Sequence, residues 1–483
     1  MSTSGNHRRW HITCEDVGRL VQWVKGRLGM RRYQFLFILL CLSLVYLLIQ
    51  FFMVLTVKQD EKLSSNVEVL TLFLEVCSQQ GVIVTILEPE AVRTYLRGGV
   101  TEDVLYCETC NEFGRHHTTI GLESTDKISP DLFIMAGLRV HEVKVPDPRL
   151  ESVTSLNTPN ITTHYFIQRR IPSSHIIQVV FLYERKDDEE SYFWHSDIRW
   201  DSDLPKWVTQ SLQLEDLSFG TTSGVYQRLL TVNVKERGYN LKVPENLMTQ
   251  TFDATFLDCN YTRAREFYKL YKQPTDNEFV KKAVTVMLKG REVLNKLEVP
   301  FWLSSGNCLG WFRQCGIIPY SQDIDFGVGI QDNDDRIIPA FQGAGFTLKH
   351  LFGKISDSYE LSFIHVKTGI KLDLFFFYEE PDYLWNGGTE YDTGKKYKYI
   401  FPKFSLCWTE LLQMKFRVPC ETESYVEANY GKNWMKPVTS WDWKKSPPNV
   451  RENGVWPDDE WDKVIQIYDN VDQKDDIGLK LKG

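Results

Sequence analysis

Residues 301–329 read FWLSSGNCLGWFRQCGIIPYSQDIDFGVG, and residues 370–376 read IKLDLFF. The first stretch opens on Phe301, Trp302 and Leu303, passes through the small residues Ser304, Ser305 and Gly306, and continues in a helix-length segment ending near Cys315. Asp323 and Asp325 then stand two apart in an apolar, strand-like run. Side chains at i and i+2 of a strand share a face. The two carboxylates therefore lie side by side and suit one hard cation with oxygen ligands. Asp373, between Leu372 and Leu374, has the same setting on the next apolar run. Three carboxylates on adjacent strands, behind a glycine-containing helix start, are the parts of a site that holds Mg2+ or Mn2+ against a phosphate. Gly306, Gly310 and Arg313 are spaced to give that helix a glycine turn, a close-packing position and a phosphate-directed guanidinium. For Arg313 the plainer role is a surface salt bridge, and for the glycines turn and packing.

Outward from this centre, Thr275-Asp276-Asn277-Glu278 reads as a capping box. The apolar residues after it (Val280, Ala283, Val284, Met287, Leu294, Leu297) recur at helical spacing and lead into the Phe301 strand. Residues 332–345 look helical, and LSFIHV and IKLDLFFF form a hairpin about Lys367-Thr368-Gly369. Residues 380–460, rich in Trp, Tyr, Gly and Pro, read as long loops and short elements walling a pocket. Among them Trp385 and Asn386, with Gly387 and Gly388, are candidates to contact a base or a sugar, with ordinary core as the alternative.

The chain has 483 residues and a net charge of −8. Two domains follow from the length, and the charge argues against a nucleic-acid binder. Residues 1–32 carry seven Lys or Arg against two Asp or Glu, so the remainder is more acidic than the whole. Tyr33 to Val57 contains no charged residue and is long enough to span a bilayer. Its basic flank is N-terminal, which places the tail in the cytosol and the body in the lumen. The expected plan is a basic tail over 1–32, a transmembrane anchor over 33–57, a lumenal α/β stem over 58–273, a second α/β domain over 274–470 that carries the acids, and a tail over 471–483. The fold class is α/β (α+β).

In the stem, VEVLTLFLEVCSQQ has helical spacing and GVIVTILEP reads as a strand. DLFIMAGL, THYFIQRR and HIIQVVFLY are further strand candidates. KDDEE at 186–190 reads as a solvated acidic turn. Eight cysteines lie beyond the anchor, which suggests disulfides without fixing their pairing. Cys308 and Cys315, seven apart on one proposed helix, are too distant to pair. Cys107, Cys110, His116 and His117 could bind zinc, with a stem disulfide as the plainer account. Asn160-Ile-Thr and Asn260-Tyr-Thr are glycosylation acceptors.

The order glycine turn, helix, Asp-x-Asp strand, third Asp strand is similar to that of the nucleotidyltransferase fold. LSSGNCLGWFRQCGIIPYSQDIDFG resembles the signature of the LicD-type phosphotransferases. Within these, VPFWLSSG, CLGW, KLDLFFFYEE, WNGG, FPKF, CWTE, VPCET, EANYGK and WDWK resemble the fukutin family over about 299–470. The resemblance implies a Golgi type II enzyme that moves ribitol 5-phosphate from CDP-ribitol to the N-acetylgalactosamine end of the O-mannosyl glycan of α-dystroglycan, releasing CMP. It implies Asp323, Asp325 and Asp373 as catalytic and metal residues, supports Ser305, Gly306, Gly310, Arg313, Trp385 and Asn386 more loosely as substrate contacts, and suggests Golgi glycosyltransferases, fukutin-related protein among them, as partners. A metal-dependent nucleotide-sugar glycosyltransferase shares the topology and the Asp-x-Asp. A non-catalytic Golgi scaffold shares the membrane helix and stem.

Overall fold

The computed structural model describes Arg19 and residues 32–468 except 98–104, 106–116, 124–127, 156, 171–174, 188–190, 218, 228 and 273–276, and not the side chains of 32–39, 42, 54–67 and 216. Helix α1 (Arg32–Gln79) leads into the N-terminal part. Its last turns bury Val69, Leu70, Phe73, Leu74 and Cys77 against a seven-stranded sheet. Across that sheet the strands run Leu138–Pro146, Asn160–Arg169, Ile176–Phe181, His117–Leu122, Val84–Ile86, Tyr239–Pro244 and Thr231–Glu236. Further up α1, large apolar side chains from Leu44 to Met53 are exposed. Among the described residues no helix is long and apolar enough to cross a membrane, and the segment 33–57 includes positions whose side chains lie outside the described ones.

Two stem elements differ from their sequence reading. DLFIMAGL is mostly helix: Pro130–Met135 is helical, with Ser129 Oγ accepting the Asp131 N–H and Pro130 in the first turn, and only Leu138 begins a strand. A proline at the first helical position after a serine cap outweighs the apolar run. Asp187, read as part of a solvated turn, instead pairs with Arg291 of the C-terminal part through both carboxylate oxygens, at 2.7 and 2.8 Å. Of the proposed zinc ligands, Cys107, Cys110 and His116 lie outside the described residues; His117 is buried in a strand.

The C-terminal part is built from α2 (Tyr261–Leu270), α3 (Glu278–Lys296), β1 (Phe301–Leu303), α4 (Ser305–Gln314), β2 (Asp323–Gly329), α5 (Ile337–Gly343), β3 (Phe346–Lys354), β4 (Asp357–His365), β5 (Lys371–Glu379), β6 (Tyr383–Thr389), β7 (Lys395–Pro402), β8 (Leu406–Leu411), β9 (Met414–Pro419), α6 (Thr422–Tyr430), β10 (Val450–Val455) and β11 (Ile465–Ile467). The N-cap of α3 is Asn277, whose Oδ1 accepts from the N–H groups of Phe279 and Val280; Thr275 lies outside the described residues. The main sheet runs β10-β7-β6-β5-β4-β3-β11, with β2 beside β5 and β1 beside β2. The hairpin β4–β5 turns at Gly369, whose φ of +71° suits glycine. Residues 380–460 hold the five strands β6 to β10 and the helix α6, joined by turns, rather than long loops throughout. The longest stretch without regular structure there runs from Gly431 to Asn449.

One face of the sheet is apolar. Ile324, Phe326 and Val328 of β2 and Leu372, Leu374 and Phe376 of β5 are buried on it. There α3 approaches so closely that a Cβ on Gly290 would lie 2.6 Å from Leu372 Cδ1, and α5 stacks Phe341 on Phe363. The other face carries the acids, with α4 and α6 beside it: Tyr425 of α6 stacks on Phe401 and its OH is 2.8 Å from Ser304 Oγ.

Candidate metal centre

Parallel pairing of β2 with β5 sets Asp323 opposite Lys371 and Asp325 opposite Asp373. Because alternate residues share a face, one register brings all four side chains together. An oxygen from each of Asp323, Asp325 and Asp373 lies within 4.8 Å of the others. The carboxylates are held from behind. Ser362 Oγ on β4 donates to Asp373 Oδ1 at 2.6 Å, Ser321 Oγ to Asp323 Oδ1 at 3.2 Å, and the Gly306 N–H to Asp325 Oδ2 at 3.3 Å. Asn307 Oδ1 accepts the Asp325 backbone N–H at 2.7 Å and fixes the strand to α4. Lys371 Nζ lies 2.6 Å from Asp373 Oδ2 and 3.3 Å from Asp323 Oδ2. Burial, and next the charges of Asp323 and Asp373, push the Asp325 carboxyl well above its usual range. An all-oxygen set of three clustered carboxylates fits a hard divalent cation such as Mg2+ or Mn2+.

Where β1 enters α4, Ser305 has a left-handed φ of +42°. Ser305 and Gly306 are the partly exposed residues there, ahead of the buried Asn307 to Trp311. The start of α4 thus presents backbone to the acid site. At the end of α6, burial and then Asp325 push the Tyr430 phenol well above its ordinary value. The Tyr430 ring packs on the half-exposed Trp441 at 5.0 Å between centroids. A separate cavity of about 640 Å3, lined by Arg263, Trp311, Phe312, Thr422 and Glu423 among others, lies toward the opposite ends of α4 and α6.

Four candidate contacts lie away from the acid cluster. Arg313 is buried eight residues along α4 from Ser305, about 12 Å. Its guanidinium donates to Gln314 Oε1 at 2.7 Å and to the Trp434 carbonyl at 3.4 Å and lies over the Phe267 ring. These partners lie on α4, α2 and the 431–449 segment, not in the acid cluster. Gly310 is a packing glycine: a Cβ there would lie 2.5 Å from the Gly316 carbonyl oxygen. Trp385 sits in β6 on the face away from the acids, stacked on Tyr378 with Lys398 over its ring. Asn386 is on the acid face, opposite Phe377 in the ladder and so about 13 Å along β5 from Asp373. It is buried, and its Oδ1 has no hydrogen-bond partner among the described residues. Of the glycosylation acceptors, Asn160 is exposed at a strand start and Asn260 is exposed at the N-cap of α2. Among the described residues, Cys259 pairs with Cys315 and Cys407 with Cys420.

Lys371, Ser362, Asn307 and Tyr430 were missed from sequence. For Lys371 the signal was present, since it stands two residues before Asp373 on the same strand. Ser362 and Tyr430 depend on long-range pairing that spacing does not reveal.

Two family models match the chain: Fukutin N-terminal over residues 50–285, and LicD/FKTN/FKRP, nucleotidyltransferase domain, over 298–421. The chain is 41% identical over 415 residues to the ribitol-5-phosphate transferase FKTN of Homo sapiens, covering 82% of this chain and 87% of that protein. The same figures hold for the protein of that name in Macaca fascicularis. The one in Mus musculus is 45% identical over 338 residues, 69% of this chain and 71% of its own length. The chain belongs to the fukutin family. The three acids, Lys371, Ser362 and the start of α4 all lie within the stretch that matches the LicD/FKTN/FKRP nucleotidyltransferase description, whereas Tyr430 and Trp441 lie beyond it. A fukutin-family chain thus places its acid cluster at the junction of the β2–β5 pair with α4.

Proposed function

We propose that this chain transfers ribitol 5-phosphate from CDP-ribitol to the N-acetylgalactosamine end of the O-mannosyl glycan of α-dystroglycan. The observation that carries the reading is the Asp323–Asp325–Asp373 cluster beside the partly exposed Ser305 and Gly306 at the start of α4, in a chain whose relatives are named ribitol-5-phosphate transferases. The three carboxylates would hold a divalent ion, which when bound would neutralise phosphate charge. The acceptor hydroxyl attacks the phosphorus bearing ribitol in line, the new O–P bond replaces the bond to CMP, and the hydroxyl proton leaves to a carboxylate, for which Asp373 is the candidate. Ser362, Ser321 and the Gly306 N–H keep the carboxylates oriented. Chemistry of this kind depends on positioning and charge stabilisation.

The same reading places the protein in the Golgi membrane as a single-pass type II protein, anchored by residues 33–57. The uncharged run and the exposed apolar side chains from Leu44 to Met53 support the anchor. Asn160 and Asn260 then face the lumen as glycosylation sites, and Golgi glycosyltransferases, including fukutin-related protein, are the expected partners. A donor screen on the full chain in detergent, reading glycan mass, tests the reaction. A gain of one ribitol phosphate from CDP-ribitol is expected, and a gain of a hexose from a UDP-sugar would replace this reading with a glycosyltransferase. Digestion of a C-terminal tag in intact microsomes would overturn the topology.

A further inference from the structure

Lys371 is the ion-pair partner of the acid cluster among the described residues, and it sits inside the cluster. Its Nζ is 2.6 Å from Asp373 Oδ2 and 3.3 Å from Asp323 Oδ2. Both partners are candidate metal ligands, so ammonium and divalent ion draw on the same oxygens. The lysine is held there by register, as the residue opposite Asp323 in the β2–β5 ladder. Its side chain keeps 28% of its surface exposed, against 3% for Asp373, so the stem has room to turn while the carboxylate does not.

We propose that Lys371 is a resident cation with two positions: it closes the cluster when no divalent ion is bound, and in the loaded site it turns to a non-bridging oxygen of the donor's pyrophosphate. This rests on the phosphotransferase reading above and adds a phosphate-binding residue to it. The physical basis is charge. Three carboxylates this close repel one another, and a partly buried ammonium offsets one of the three charges. A divalent ion on Asp323 and Asp373 satisfies their oxygens and releases the ammonium. The nearest new anion is then the phosphate held at the same ion, and lysine binds phosphate as a mobile point charge on a flexible stem.

Two opposite effects of one substitution follow. In the full chain, Lys371→Met removes the competitor and is expected to bind Mn2+ roughly tenfold or more tightly than wild type by calorimetry. At saturating Mn2+ it is expected to bind CDP-ribitol roughly tenfold or more weakly, with Lys371→Arg recovering part of that loss. A lysine that only supports the fold would lower both affinities or neither, and either result overturns the proposal. If Lys371→Met folds poorly without metal, thermal melting with and without Mn2+ reads the same sign. A larger Mn2+ stabilisation than in wild type supports the proposal, and an equal or smaller one contradicts it. If the wild type takes up no Mn2+, the metal reading itself fails and this proposal falls with it. If the wild type binds Mn2+ and donor while the variant shows no opposed changes, this proposal alone fails.

Discussion

Gly306 separates a ligand's demand from the fold's. A Cβ there would lie 3.7 Å from Asp325 Oδ2 and Ser321 Oγ, an ordinary contact, and the residue has no left-handed φ. Nothing in the protein requires glycine at this helix start, where alanine is the better helix former. Gly306→Ala is therefore expected to keep or slightly raise stability, by up to about 1 kcal/mol, while weakening donor binding roughly tenfold. Unchanged donor affinity would mean that no phosphate approaches this backbone. Residues of this kind were only partly legible in the sequence. The alternation of Asp323 and Asp325 sufficed to place them on one face, because a strand's period is fixed. Arg313 could not be placed, since helical spacing gives its direction about the axis but not what packs there. Its actual partners, Phe267 and the Trp434 carbonyl, are distant in sequence.

At the scale of elements, the acid strands are seated by α3. A Cβ on Gly290 would meet Leu372 Cδ1 at 2.6 Å and Phe326 Cε2 at 3.0 Å, directly behind Asp373 and Asp325. Gly290→Val is expected to cost about 1–3 kcal/mol through overpacking, seen as a lower melting temperature, and to lower transfer by shifting β2 against β5. Full transfer by the folded variant would show that acid placement does not depend on this contact. The β4–β5 hairpin, β2 and α3 were legible because their periodicity is strong and their turn or cap residues are local. The 380–460 region was not. Its Gly-, Pro- and Trp-rich composition reads as loop, yet β6 and β7 pair over seven residues from Tyr383↔Pro402 to Thr389↔Lys396. Long-range pairing supplies there the order that local propensity withholds.

At the scale of the whole molecule, the two parts are joined by buried charge. Arg291 has a side chain 4% exposed and pairs with Asp187 across the junction. Arg185 lies between the Trp194 and Phe256 rings, pairs with Asp258 at 2.8 Å and reaches Glu410 of β8, across the junction, at 3.6 Å. Asp187→Ala leaves the Arg291 guanidinium buried with the Lys415 carbonyl as its remaining acceptor, and is expected to cost about 3–5 kcal/mol. Denaturant unfolding checks this, and a loss below about 1 kcal/mol would show the pair to be solvent-screened. The N-terminal part also carries an acid sensitivity. Burial first, with His195 nearby, pushes His164 down to about 3, and burial pushes His195 down to about 4. The unfolded chain then binds more protons, so stability is intact above about pH 6.5 and falls as pH drops toward those values, by up to about 1.4 kcal/mol per pH unit per histidine. His164→Gln should flatten the slope between pH 6 and pH 4.5 by nearly one proton. An unchanged slope would mean that His164 is charged in the folded state.

The measurement that bears most directly on the central claim is calorimetric binding of CDP-ribitol to the full chain, with Mn2+ and with EDTA, for wild type and for Asp325→Asn. Donor binding is expected only with Mn2+ and only in wild type, with transfer by Asp325→Asn reduced on the order of a thousandfold. The metal-free melting temperature of the variant should be no lower, because the substitution removes a buried, repelled carboxylate. Equal donor binding in EDTA, or a variant that binds and transfers normally, would contradict the assignment of the acid cluster as the site of phosphotransfer.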